Sequence, residues 1–236
     1  FDQAGFPAGV LNVITGGPEA GAALTAHEKV AHVAFTGGPE TARHIVRNSA
    51  ENLASTSLEL GGKSPFIVFE DADIESAVNA QVSGIFAATG QSCVAGSRLV
   101  ISSKIKDQFL ARLKEKAEAV VIGAPDDMAT EVGPLCTKAQ RDHALALIEA
   151  SQAAGAQLLT GGKALEREGF FFPPTILDCS SAPDAPCLSQ EFFGPVLSVV
   201  SFDSEKEALQ IANDTKFGLA SGVFTQSLTR AHRMIR

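Results

Sequence analysis

Val30-Ala31-His32-Val33-Ala34-Phe35-Thr36-Gly37-Gly38-Pro39 is the stretch from which the rest of the chain can be read. A run of strand composition breaks at a Gly-Gly-Pro turn, and residues 40–49 resume with Ala42, Ile45 and Val46 at helical spacing. The glycines therefore stand where a strand hands over to a helix. Toward the N-terminus, Val10-Leu11-Asn12-Val13-Ile14 reads as an earlier strand, Thr15-Gly16-Gly17-Pro18 as its turn and residues 22–27 as a short helix. Strand and helix alternate, which predicts an α/β fold.

Toward the C-terminus, Leu58-Glu59-Leu60-Gly61-Gly62-Lys63-Ser64-Pro65 runs into a buried-strand pattern, Phe66-Ile67-Val68-Phe69, and a domain crossover is expected there. The expected organisation is one α/β segment over residues 1–58 and a second over residues 59–236. A long helix is predicted after Asp73, with Ile74, Ala77, Val78, Ile85 and Phe86 in phase, ending near Thr89-Gly90. That ending leaves Gln91-Ser92-Cys93 on a turn. Residues 104–120 carry a helical stripe of Ile105, Phe109, Leu113 and Ala117. Thr137-Lys138-Ala139-Gln140 and Ser204-Glu205-Lys206-Glu207 have the form of helix-starting capping boxes. Strands are expected at residues 99–102, 157–160, 170–177, 195–202 and 220–224.

The 236 residues are 45% hydrophobic and 19% charged, a composition that supports a sizeable globular core and argues against disordered or fibrous classes. Nineteen basic against 27 acidic residues leave a net charge of −8, a field that repels phosphate backbones and anionic lipid, so nucleic acid is not an expected partner. No apolar run approaches the roughly 18 residues of a membrane-spanning helix. Cys93, Cys136, Cys179 and Cys187 form no CxxC pair, and the five His do not fall at ligand spacing with them, so no metal site is expected. Sparse cysteines, and a start at Phe1-Asp2-Gln3 without a basic leader, point to a reducing, cytoplasmic setting.

Three places carry residues suited to chemistry. Cys93 lies among small residues in Gly90-Gln91-Ser92-Cys93-Val94-Ala95-Gly96, where a thiol is accessible and its own N–H is free to meet a developing oxyanion. By itself a cysteine there is more often inert and buried. Glu59 sits between Leu58 and Leu60, where desolvation would raise a carboxylate toward a useful base, although a solvated strand-end glutamate fits the same residues. Glu191-Phe192-Phe193-Gly194-Pro195 puts an acid before an aromatic pair and a rigid turn, which alone reads as a loop. Gly37 and Gly38 would let backbone approach a ligand, but neither a GxGxxG fingerprint nor a Walker A loop is present.

Taken together, Phe35-Thr36-Gly37-Gly38, residues 58–65, Gly90-Gln91-Ser92-Cys93 and residues 191–195 resemble the NAD(P)-dependent aldehyde dehydrogenase superfamily, in its order and with 34 positions from Glu59 to Cys93. The resemblance implies the end of a Rossmann-like nucleotide-binding sheet in residues 1–58 and an α/β catalytic domain of the aldehyde dehydrogenase type in residues 59–236. It implies Cys93 as the nucleophile on a small-molecule aldehyde and Glu59 as the general base. It also implies Glu191 on the nicotinamide ribose, Phe193 beside the nicotinamide, and Gly37, Gly38 and Leu60 in the cofactor site. NAD is the cofactor implied, with NADP as the other option.

The sequence departs from the family pattern at Gly38, where a Ser is common, and at Ala42, where a Gly is common. The resemblance further implies an internal piece of a longer dehydrogenase, with the oxyanion Asn and the ribose-binding Lys lying upstream and a homo-oligomer when full length. The competing expectation is a noncatalytic fragment that acts as an interaction partner of a full-length relative.

Overall fold

A computed structural model describes residues 1–235 and divides the chain into two compact units, Phe1–Gly61 and Gly62–Arg236.

In the first unit, helix α1 (Pro18–Thr25) precedes strand β1 (His32–Gly37), helix α2 (Pro39–Asn52) and strand β2 (Ser55–Leu60). Proline at the first position of both helices suits the fixed backbone angle and the absent N–H. β1 and β2 pair in parallel, with Thr36 opposite Glu59 and Gly37 opposite Leu60. α2 buries Ala42, Ile45 and Ser49. Val46, expected on that stripe, lies at its flank and is 47% exposed.

The strand expected at residues 10–14 does not form. Val10 N–H bonds back to the Pro7 carbonyl, and the segment pairs with neither β1 nor β2. A strand exists only where a neighbour takes its N–H and C=O groups, and apolar composition alone does not supply one.

The second unit is a six-stranded sheet in the order β5-β6-β7-β4-β3-β8, built from β3 (Pro65–Val68), β4 (Arg98–Ser102), β5 (Gln157–Thr160), β6 (Thr175–Asp178), β7 (Val196–Phe202) and β8 (Gly222–Phe224). All neighbours are parallel except the β5/β6 pair. Side chains alternate across the sheet. Val68, Leu99, Ile101, Ile176, Leu197 and Val199 pack on one face with α3 (Ile74–Phe86) and α4 (Lys106–Ala119). On the opposite face Ile67, Val100 and Phe202 meet α6 (Glu205–Asn213), and Leu177 and Val196 meet α5 (Lys138–Ala153). A short α7 (Leu228–Met234) follows β8.

Asp73, Thr137 and Ser204 cap α3, α5 and α6 through their side chains, as their sequence positions predict. The strand expected over residues 170–177 shrinks to Thr175–Asp178. Pro173 and Pro174 have no N–H to give a ladder, and the carbonyls of Phe170 and Phe171 are taken by Leu135 and Leu165.

Candidate active site

Three chain segments lead into the starts of β3, β4 and β7, which are neighbours in the sheet, and they carry Gly62-Lys63-Ser64, Gln91-Ser92-Cys93 and Glu191-Phe192-Phe193. Parallel order thus gathers at one sheet end residues that are far apart in sequence.

Cys93 occupies a turn closed by Ala95 N–H donating to the Ser92 carbonyl at 3.1 Å. The backbone before it is strained: Ala88, Thr89 and Gly90 have φ of +50°, +56° and +65° in succession. For the two non-glycine residues this left-handed conformation costs on the order of 1 to 2 kcal/mol each. On the far side Gly96 N–H donates to the Gly84 carbonyl of α3 at 3.2 Å, and Gln81 donates to the Gly96 carbonyl at 2.7 Å. The turn is therefore held at both ends. Cys93 is half-buried, and its N–H has no acceptor among the described residues. Ser92 and Val94 line a cavity of about 420 Å³ with Phe66, Ala87 and Ser221, all uncharged.

The Glu191 loop is tied to this turn through glycine. Gly62 N–H donates to Glu191 Oε1 at 3.0 Å, and a Cβ on Gly62 would fall 2.5 Å from the Cys93 carbonyl oxygen. A Cβ on Gly90 would collide with the Gly194 carbonyl. His143 Nε2 donates to the Glu191 carbonyl at 3.1 Å, and the Gln140 amide donates to the Phe192 carbonyl. The capping box at residues 137–140 is thus only half realised: Thr137 caps the helix, while Gln140 reaches the site loop. Phe192 is buried, whereas Phe193, at φ +48°, points its ring outward and is 40% exposed.

Lys63 was not legible as a site residue from sequence. It is 1% exposed, its Nζ lies 4.8 Å from the Phe192 ring centroid and has no hydrogen-bond partner among the described residues. Burial pushes its amine down to about 8. Arg98 holds the backbone there, donating from Nε to the Lys63 carbonyl at 2.8 Å and from its two terminal nitrogens to the Ile211 and Ala212 carbonyls at the end of α6.

In the first unit, Gly37, Gly38, Glu59 and Leu60 gather at the carboxyl ends of β1 and β2. Gly37 has a packing reason of its own, because a Cβ there would meet the Phe35 ring at 2.5 Å. Gly38 faces open space and starts α2 without any side-chain cap, leaving the first-turn N–H groups of the helix free. Glu59 differs from the desolvated carboxylate expected from its apolar neighbours. Strand alternation puts it on the exposed side of β2, opposite to Leu58 and Leu60.

The aldehyde dehydrogenase family model matches residues 1–236. The chain is 65% identical over 237 residues to the (Z)-2-((N-methylformamido)methylene)-5-hydroxybutyrolactone dehydrogenase of Acinetobacter baylyi, covering 100% of this chain and 49% of that protein. It is 47% identical over 236 residues to the betaine aldehyde dehydrogenase of Sinorhizobium fredii, covering 99% and 48%. The crystal structure of PnpE in complex with nicotinamide adenine dinucleotide superposes with a TM-score of 0.94 at 45% identity, covering 99% of this chain and 48% of that one. The chain spans about half the length of the curated relatives it matches. Matched by the family model from its first residue to its last, the chain belongs to the aldehyde dehydrogenase family.

Proposed function

We propose that this chain carries the nucleophile and part of the cofactor site of an enzyme that oxidises an aldehyde to a carboxylic acid with NAD. The observation that carries the reading is the Cys93 turn: an accessible thiol, a free N–H on the same residue, and a backbone contact through Gly62 to the Glu191 loop.

In this reading the Cys93 thiolate adds to the aldehyde carbonyl, a C–S bond forms, and the carbonyl electron pair moves to oxygen. The Cys93 N–H stabilises that oxyanion. Loss of hydride from the thiohemiacetal carbon leaves a thioester on Cys93. NAD, when bound, supplies the acceptor for that hydride. Glu59 takes a proton from the water that attacks the thioester, and the C–S bond breaks to release the acid and regenerate the Cys93 thiolate. The uncharged cavity beside Ser92 and Val94 favours a substrate that is neutral near its reacting carbon.

The residues present fit the cofactor. Glu191 spends Oε1 on Gly62 and keeps Oε2 for the ribose hydroxyls, and the outward ring of Phe193 gives the nicotinamide an apolar neighbour. Gly37 and Leu60 flank the carboxyl ends of β1 and β2, and open space at Gly38 with free N–H groups at the start of α2 suits a phosphate. Cofactor binding that does not discriminate NAD from NADP is compatible with these residues, and NAD is favoured by the PnpE complex.

A second reading, association with a full-length relative without turnover, is favoured by Val13 and Ile14, which are 84% and 71% exposed. Comparing NADH formation by the protein and its Cys93→Ala and Glu59→Gln variants decides between the two. Enzymatic function predicts no turnover for Cys93→Ala, and for Glu59→Gln one turnover per site followed by slow release. Turnover retained in Cys93→Ala rejects Cys93 as the nucleophile, and unchanged steady turnover in Glu59→Gln rejects the base role.

A further inference from the structure

Cys179 and Cys187 take no part in the proposed reaction, yet their sulfurs lie 3.2 Å apart and both side chains are fully buried. We infer that this pair is an oxidisable dithiol, converted by a hydroperoxide to an intramolecular disulfide.

Geometry is the first support. A disulfide bond is about 2.05 Å long, so the sulfurs need to close by only about 1.1 Å. Both backbones are already anchored around the pair. Cys179 N–H donates to the Val199 carbonyl at 2.8 Å, Cys187 N–H donates to Ser151 Oγ at 3.0 Å, and the Cys187 carbonyl accepts from Ser198 Oγ at 2.9 Å. Between the two cysteines the chain makes a short surface loop in which Ser181, Pro183 and Asp184 are exposed. Local opening of that loop admits a small oxidant.

Charge is the second support. The unpartnered ammonium of Lys63 lies within electrostatic reach of Cys187 and favours negative charge on that sulfur. The hydrogen bond shared between the two sulfurs holds the Cys187 thiol below its usual range and pushes Cys179 up. One sulfur is thereby prepared as nucleophile and the other keeps its proton.

The steps balance. The Cys187 thiolate attacks hydrogen peroxide, an S–O bond forms, the O–O bond breaks and hydroxide leaves, giving a sulfenic acid. Cys179 then loses its proton and attacks the Cys187 sulfur, an S–S bond forms and the oxygen leaves as water. Two thiols give up two electrons and two protons, and one peroxide becomes two waters. The bond forms four residues before Glu191, in the chain that leads to the site loop.

No Lys or Arg lies between Arg167 and Lys206, so trypsin delivers both cysteines in one peptide, residues 168–206. The test treats the native Cys93→Ser/Cys136→Ser chain with hydrogen peroxide, denatures it in N-ethylmaleimide and weighs that peptide. The expected peptide is lighter by two hydrogens and carries no maleimide, and dithiothreitol before alkylation restores two adducts. Two adducts after peroxide, or a sulfinic acid on either cysteine, overturns the inference. The same peptide from the unsubstituted chain gives the same readout, so a folding defect in the double variant does not remove the test. In a Cys187→Ser chain, Cys179 is expected to stay alkylatable, and its rapid oxidation there overturns the assignment of Cys187 as the attacking sulfur.

Discussion

Gly62 and Cys93 touch backbone to backbone: a Cβ on Gly62 would fall 2.5 Å from the Cys93 carbonyl oxygen. Since the Gly62 N–H also donates to Glu191, one residue without a side chain sets the spacing between the candidate nucleophile and the candidate ribose ligand.

Gly62→Ala is therefore expected to push the Cys93 turn away. Overpacking of this kind costs roughly 1 to 3 kcal/mol, and a displacement near 1 Å at a reacting group lowers turnover on the order of a hundredfold. Thermal unfolding and NADH formation check the two halves. A variant unchanged in both would show that the backbones do not meet there.

Two glycines of the same region should respond in opposite directions. Gly90 has φ +65° and no room beside the Gly194 carbonyl, so Gly90→Ala is expected to destabilise by roughly 2 kcal/mol or more. Gly84 lies within α3 with nothing within 4 Å of an added Cβ, and Gly84→Ala should stabilise by about 0.5 to 1 kcal/mol. Urea midpoints for the pair would expose an error at either site.

Lys63 gives a pH prediction. Burial holds its amine at about 8 in the folded chain, against the ordinary lysine value of 10.5 in the unfolded one, so between those values the unfolded chain binds more protons and stability rises with pH. The penalty is fully present below pH 8 and is relieved toward pH 10.5, by roughly 3 kcal/mol for a shift of this size. Lys63→Met should be more stable than the parent at pH 7, with the difference shrinking as pH rises. Cys187, Cys179 and Glu191 favour the charged amine and Arg98 opposes it, and a difference that stays flat with pH would show that the first three already compensate its charge.

Glu191 separates structure from binding. In Glu191→Gln the amide oxygen can still accept from Gly62, so stability should change by less than about 1 kcal/mol while NAD binds more weakly through loss of the charged acceptor. Glu191→Ala should lose both. Calorimetric titration with NAD beside thermal unfolding checks this, and tight binding by the Gln variant would remove Glu191 from the ribose contact.

The elements that could be read from the chain are those set by local chemistry. Residues 73–86 announce a helix by periodicity and by the Asp73 cap, and residues 66–69 announce a buried strand by continuous apolar character. The candidate reactive residues, Cys93 and Glu59, are likewise visible, as are the glycines around them. Where a reading failed, the missing information was the neighbour. Residues 10–14 have strand composition but no partner edge, and Phe170 and Phe171 give their carbonyls to the N–H groups of Leu135 and Leu165 just before two prolines.

Tertiary structure alone decided the site. Gly62 and Glu191 are 129 residues apart, and they meet because β3, β4 and β7 run parallel and side by side, which brings the chain segments before them to one end of the sheet. The burial of Lys63 and the contact of Cys179 with Cys187 follow from the same packing. Propensity, capping and periodicity act within a few residues and are written in order along the chain. Strand adjacency, burial and backbone contact depend on which distant segment satisfies a hydrogen bond or fills a space, and only the folded arrangement determines that.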